Sequence, residues 1–525
     1  MLKITESMIL NEKRNLLLLS VCGSILVLAS TFVYGVGLWP DGVKYIAAAR
    51  NMMSGNGYVI FHATPGPLII WPPLFPTLLA FLSLIFNTDP LFISPIVNAV
   101  IFGLIVYSSG ILASRFLSSN LVVILGVIAI LVSTPLIGTS VWVSSEPLFI
   151  ILTLAAFIYG HKYLIKGDLN TLFMFSVAVG LAPITRYAGL ILILYGAVII
   201  AYKNYKGTEC KKTKIKHSLL FLFISTFPIG IWVIRNYSVS GSLFGTHTSS
   251  IFTLQQNLVS TLYTLLSWYL PHKLFIIYPV YPKLYSLIFL FLAIGFFIGV
   301  CKKIIDWNKA KVIPTQINLF MLFLLIYIPF LVLTSTLIAI DSIGDRFLAP
   351  IYVPGTLILL YVAEKLVKSF KDKLFPKFFT GLIAICVCFW LIYPINKTVH
   401  AVANYMIKGI GYNDLSWKES ATIQSLLPLG ISNRNAVYSN FPDALYILAN
   451  LNARWSPFKH LDNSIDKVND IEQLKNTWPP EDKAYLIWFN REGMNFLFSP
   501  NELQKIDNLK LIGRNNDGMV FLVSK

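Results

Sequence analysis

Charge is scarce in this chain. Of its 525 residues only 13% are Asp, Glu, Lys or Arg, while 56% are hydrophobic. Soluble domains carry about 25% charged residues. The shortage excludes an ordinary water-soluble domain, and the mean hydropathy of +0.68 points the same way. Cysteine is also rare. The five cysteines, Cys22, Cys210, Cys301, Cys386 and Cys388, fall in apolar runs or basic loops, so no disulfide framework is expected. There is no HExxH, no CxxC and no Gly-x-Ser-x-Gly, and the seven histidines do not cluster. The common zinc, dithiol and serine-nucleophile patterns are therefore missing. No internal repeat is visible, which weighs against a transporter built from inverted halves.

What the chain has is a series of apolar runs, each close to the roughly 20 residues that cross ~30 Å of hydrocarbon. The expected spans are 16–38, 94–112, 121–140, 147–164, 171–185, 188–202, 217–234, 284–300, 315–337, 347–364 and 378–395. The first follows Lys13 and Arg14 and shows no small-residue cleavage pattern, so it reads as a retained span and not as a signal peptide.

The net charge of +17 does not signal nucleic acid, because the basic residues gather in alternate loops. Arg115, Lys162, Lys166, the cluster from Lys203 to Lys216, Lys302, Lys303, Lys309, Lys311 and the lysines between Lys365 and Lys377 fall on one side. Lys44, Arg50, Arg186, Arg235, Lys273, Lys283 and Arg346 fall on the other. The positive-inside rule then puts the N-terminus inside. The short apolar segment 72–87 must return to the side it came from, or every later basic loop would face out. It is expected to be re-entrant or interfacial. A multi-pass protein of the plasma membrane follows.

After about residue 396 the composition turns polar. Strand-like runs at 435–439, 484–489, 509–512 and 519–523, a helix over 443–451 and the turn sequence Asn515-Asn516-Asp517-Gly518 predict a small α/β domain over 396–525, outside the membrane. The membrane domain is then 1–395.

The ionisable residues at the outer ends of the spans carry the functional signal. Asp41 follows the first span in Leu38-Trp39-Pro40-Asp41-Gly42, with Tyr45 one turn further on the same helix face. It suits either an N-cap or a catalytic base. Glu146 precedes Pro147 at a helix start, where the helix dipole also favours an acid. Arg186, Arg235 and Arg346 sit at outer span ends against the charge trend. An anionic ligand accounts for all three together, because guanidinium binds phosphate bidentately. His62, His247 and His272 lie on outer loops and could add one ligand to either carboxylate.

The order of these motifs resembles a known family. Asp41-x-x-x-Tyr45, Gly55-x-Gly57-Tyr58, Trp71-Pro72-Pro73-Leu74-x-Pro76, Ser145-Glu146-Pro147-Leu148-Phe149, Thr185-Arg186-Tyr187, Arg235-Asn236-Tyr237 and Asp345-Arg346-Phe347 are similar to the GT-C membrane glycosyltransferases. The likeness is strongest to the branch of protein O-mannosyltransferases and aminoarabinose transferases, and it covers roughly residues 35–360. It implies an α-helical polytopic membrane fold of about 11 spans plus interfacial helices, with a small C-terminal extracytoplasmic α/β domain. It implies a sugar moved from a polyprenyl-phosphate carrier to an extracytoplasmic glycan, lipid or protein hydroxyl by inverting displacement. By that resemblance Asp41 and Glu146 are catalytic, and Arg346, Arg186 and Arg235 bind the donor phosphate. Tyr45, Trp71, Tyr187 and Asp345 position substrate. A divalent metal is possible and no other cofactor is implied. The partners are the lipid-linked donor, membrane lipids and the acceptor, with no nucleic acid. A transporter or flippase for lipid-linked precursors is the alternative, but it needs charges lining a path in mid-span. A non-catalytic scaffold leaves the two acids and three arginines unexplained.

Overall fold

The structure, a computed structural model, describes residues 6–61, 66–245, 247–269, 314–371, 376–464, 468–475 and 477–524. The expected span 284–300 lies outside the described residues, as do His62, His272, Lys273, Lys283, Cys301, the four lysines between 302 and 311, and Lys373. Among the described residues seven helices are long and apolar enough to cross a membrane, or eight if one bent pair is a single span.

In chain order the helices of this region are α1 (Glu6–Thr31), α2 (Pro40–Met53), α3 (Leu74–Phe86), α4 (Pro90–Ala113), α5 (Asn120–Leu131), α6 (Thr134–Ser140) and α7 (Glu146–Lys166). They continue with α8 (Leu169–Leu181), α9 (Leu190–Lys206), α10 (Lys211–Ser240), α11 (Leu254–Tyr269), α12 (Thr315–Leu337), α13 (Asp345–Lys371) and α14 (Pro376–Lys408). Apolar side chains on the outer surface, such as Phe32, Phe92, Ile234 and Phe389, are exposed to whatever surrounds the bundle, as lipid-facing positions are. Small residues let the helices approach. Ser20 Oγ donates to the Gly103 carbonyl at 2.7 Å, and a Cβ on Gly103 would lie 3.0 Å from the Ser20 carbonyl and closer still to Ser24 Oγ.

Three expected runs differ from what is observed. The run 16–38 is helical only to Thr31. Gly35, at φ +90°, turns the chain, and Val36 and Leu38 are buried in the loop that follows. The run 121–140 is two helices, α5 and α6, bent by 47°. Ser133 caps the second by accepting from the Leu136 amide at 3.2 Å, with Pro135 in its first turn. The run 171–185 is helical only to Leu181, in a helix of 13 residues that begins at Leu169. The segment 72–87 contains α3, also 13 residues; at 1.5 Å per residue it is about 20 Å long, short of the bilayer core. Both flanks of α3 are tied to α2. Trp71 bonds Asp41 at its start, and Asp89 pairs with Arg50 near its end at 2.7 Å.

Helix α2 is not a surface helix. Its residues Gly42 to Ala49 are buried against α3, α4 and the helix Pro442–Ala449 of the tail. The composition change near 396 falls inside α14, which continues to Lys408. Beyond it a five-stranded sheet runs β2-β1-β3-β5-β4, from β1 (Val437–Ser439), β2 (Arg454–Trp455), β3 (Lys483–Phe489), β4 (Asn508–Asn515) and β5 (Gly518–Ser524). β1 is parallel to β2 and β3, and β5 is antiparallel to β3 and β4. The two-residue loop Asn516-Asp517 joins β4 to β5, and Asp517 accepts from the Thr422 amide at 3.0 Å and its hydroxyl at 2.7 Å. The tail grips α2 through the buried pair Lys44–Asp443 at 3.4 Å, and the loop after α2 through the stacked rings of Phe61 and Tyr446 at 4.3 Å.

Candidate functional site

Three loops remote in sequence meet at the ends of α1, α6 and α14. Gly37 and Val143 exchange backbone hydrogen bonds with Val141 and Gly37 at 2.8 and 2.9 Å, and the Tyr412 amide donates to the Leu38 carbonyl at 3.1 Å. Gly411 sits at φ +61°, where a Cβ would run into the Leu38 carbonyl and the Trp142 ring, so only glycine closes this junction. The lattice holds the start of α2 beside the start of α7. Asp41 and Glu146 therefore arrive together although 105 residues separate their numbers.

Trp39, not Asp41, is the N-cap residue of α2, and it makes no side-chain cap. The Asp41 carboxylate is free for other partners. It accepts from Trp71 Nε1 at 3.0 Å and from Arg346 Nη2. Glu146 is fully buried at the first turn of α7; it accepts from Arg346 Nε and forms an ion pair with Arg186 Nη1 at 2.6 Å. One guanidinium thus bridges both acids with two edges of its fork, an arrangement lysine cannot copy. Tyr45 hydroxyl and Arg186 Nη1 each lie 3.2 Å from Ser145 Oγ, which ties α2 to the start of α7.

Burial pushes the Asp41 carboxyl up, but Arg346, then Lys44 and the Trp71 indole, outweigh it and hold it down at about 2. Burial, with Asp41 and Glu146 nearby, pushes the Tyr45 phenol far above its usual range, so it stays a neutral hydrogen-bonding group. A cavity of about 320 Å³ lies beside Asp41 and Arg346, walled by Trp39, Trp142, Thr139, Asp345, Lys397 and Tyr405 among others. Trp39 and Trp142 stack at 4.7 Å along it. Arg346 Nη1 lies 3.9 Å from the Asp341 carboxylate.

Not every expected residue joins the cluster. Arg235 donates to the Leu68 carbonyl at 2.6 Å and the Tyr58 carbonyl at 2.9 Å, and it lies over the Tyr58 and Trp232 rings. Its fork clamps the loop before Trp71. Tyr187 does related work, donating to the Ile69 carbonyl at 2.8 Å and accepting from Trp232 Nε1 at 2.9 Å. Trp71 positions Asp41 directly. Asp345 lines the cavity while accepting from Trp268 Nε1 at 2.7 Å.

Sequence reasoning missed Lys397 in the cavity wall, the brace Lys44–Asp443 and Asp341 beside Arg346. A lone polar residue just past an apolar run was the only signal for Lys397. The residues do not make a metal cage. Among the described residues no group of three or more His, Cys, Asp or Glu could hold an ion, and the Arg346 guanidinium fills the place between the two carboxylates. One acceptor is open: Glu146 Oε2 is buried with no hydrogen-bond partner among the described residues.

No family model matches the sequence, and no curated protein matches it. In three dimensions the chain is similar to ArnT from Cupriavidus metallidurans in the apo state, with a TM-score of 0.59 and 12% identity over 96% of this chain and 97% of that one. It is similar to the same protein bound to undecaprenyl phosphate, with a TM-score of 0.57 and 11% identity over the same shares of 96% and 97%. The archaeal oligosaccharyltransferase AglB from Archaeoglobus fulgidus, in complex with an inhibitory peptide and a dolichol-phosphate, matches with a TM-score of 0.50 and 10% identity over 90% of this chain and 69% of that one.

Proposed function

We propose, from the GT-C glycosyltransferase fold that this chain has, that it is a membrane glycosyltransferase moving a sugar from a polyprenyl-phosphate carrier to an extracytoplasmic hydroxyl. The observation that carries the reading is the convergence of Asp41 and Glu146 on Arg346 at the wall of one cavity. The acceptor oxygen attacks the anomeric carbon and its proton passes to Asp41. The bond from that carbon to the phosphate oxygen breaks, and the electron pair leaves with the carrier phosphate. One displacement of this kind inverts the anomeric centre.

Arg346 couples the two halves of the step. While it holds Asp41, the carboxylate is a weak base, held well below the ordinary carboxylate range. A donor phosphate that draws the guanidinium toward itself loosens that grip, and the Asp41 basicity rises toward that of an ordinary carboxylate. Glu146, held by Arg186 as well, remains the anchor for the Nε edge of Arg346 while its other edge turns.

Purified protein supplied with a panel of radiolabelled polyprenyl-phosphate sugars should release the label from the carrier onto an acceptor. Donor binding without transfer for any member of the panel would favour the transporter or flippase instead.

The proposed orientation places the N-terminus in the cytoplasm and the domain 396–525 outside the plasma membrane, on the strength of the basic loops. On intact cells an impermeant thiol reagent should label a cysteine placed in 440–464 and spare one placed in 206–214. The reverse labelling would put the site on the cytoplasmic face and end the lipid-carrier reading.

A further inference from the structure

Charge balance at the site leaves a phosphate short of a partner. Arg346 and Arg186 face Asp41 and Glu146, two cations against two anions, and Arg235 is spent on backbone carbonyls. Lys44 is paired with Asp443. Asp345 adds a further negative charge to the cavity wall, partly satisfied by the Trp268 indole. Lys397 lines the same cavity, half-buried, and makes no hydrogen bond or ion pair among the described residues. It lies on α14 in line with Ala401 and Tyr405, one and two turns on, which also face the cavity. The same helix exposes Phe389, Ile392 and Val399 on its outer side, and its apolar run ends at Ile395, two residues before the ammonium. An apolar helix face that ends beside an ammonium suits a lipid chain that ends in a phosphate.

We propose that Lys397 is the binding residue that supplies the uncompensated positive charge for the donor's phosphate, acting beside Arg346. The inference rests on the lipid-phosphate reading above. An ammonium suits this place because it is a point charge that does not demand the bidentate geometry of a guanidinium.

The test is binding of undecaprenyl phosphate to the full chain in detergent, with undecaprenol as the uncharged control. Wild type should bind the phosphate, more weakly as salt is added, and prefer it to the alcohol. Lys397→Ala should bind it roughly 10- to 100-fold more weakly, the worth of one charged hydrogen bond. Its salt dependence should be flatter. Lys397→Arg should restore most of the affinity. An unchanged unliganded melting temperature in Lys397→Ala separates lost binding from lost fold. Wild-type affinity and salt dependence in Lys397→Ala would overturn the assignment of Lys397 alone. Failure of wild type itself to bind would overturn the lipid-phosphate reading with it.

Discussion

Asp41→Asn should lower the turnover of sugar transfer by about 10²–10⁴, the usual cost of losing a general base, while leaving the donor KM no higher than in wild type. The amide keeps the size of the side chain and can still accept from the Trp71 indole, which lies 3.0 Å from the carboxylate. It loses the proton-accepting charge and loosens Arg346, which becomes freer to meet phosphate. The split between kcat and KM is therefore the informative readout. Turnover within a few-fold of wild type at equal expression would strip Asp41 of its catalytic role and leave it as a support for Arg346.

Arg346→Ala is expected to abolish nearly all donor-dependent activity, by about 2–5 kcal/mol in kcat/KM, as removing one partner of a desolvated charge contact does. The loss has two sources. The phosphate loses a guanidinium, and Asp41 and Glu146 lose the bridge that fixes their separation. Arg346→Lys keeps one charge but cannot span both carboxylates, so it should fall between wild type and alanine. Glu146 is fully buried and retains Arg186 at 2.6 Å in either variant, so the fold should survive with a lowered melting temperature. Donor titrations on the two variants decide the matter. An unchanged donor dependence in Arg346→Ala would move the phosphate to Arg186 and Lys397.

Much of this architecture was legible because lipid is a strict solvent: it demands long apolar helices, and hydropathy reports them directly. The limits have equally physical reasons. The break at Val132–Ser133 is hidden because both arms are apolar, and composition does not record a bend. The first helix stops at Thr31 because Gly35 takes a positive φ, which nothing in the hydropathy of 32–38 reveals. In the site, Asp41, Glu146, Arg186 and Arg346 stood out as lone charges at span ends, and the structure brings all four together. Arg235 carried the same signal and went elsewhere, because a guanidinium binds carbonyls as readily as anions and sequence does not say which lies within reach. The hairpin around Asn516-Asp517 was readable from its turn residues, whereas the two-residue strand β2 has no periodicity to read. Lys44–Asp443 depends on tertiary proximity alone.

That last pair has a consequence for how the protein is made. Lys44 waits 399 residues for Asp443, which at about 5–20 residues per second is roughly 20–80 s of synthesis. Throughout that interval α1 and α4 can insert and pack, since their contacts are close in the chain. Helix α2 cannot finish burying itself, because the face that carries Lys44 and Arg50 still lacks Asp443 and Tyr446. A nascent chain that holds every helix from α1 to α14, and all of Asp41, Glu146 and Arg346, is therefore still without the tail residues that brace α2, the helix that carries Asp41. A half-made chain in the membrane therefore carries Asp41, Glu146 and Arg346 before the tail partners of Lys44 and Arg50 on α2 have been made.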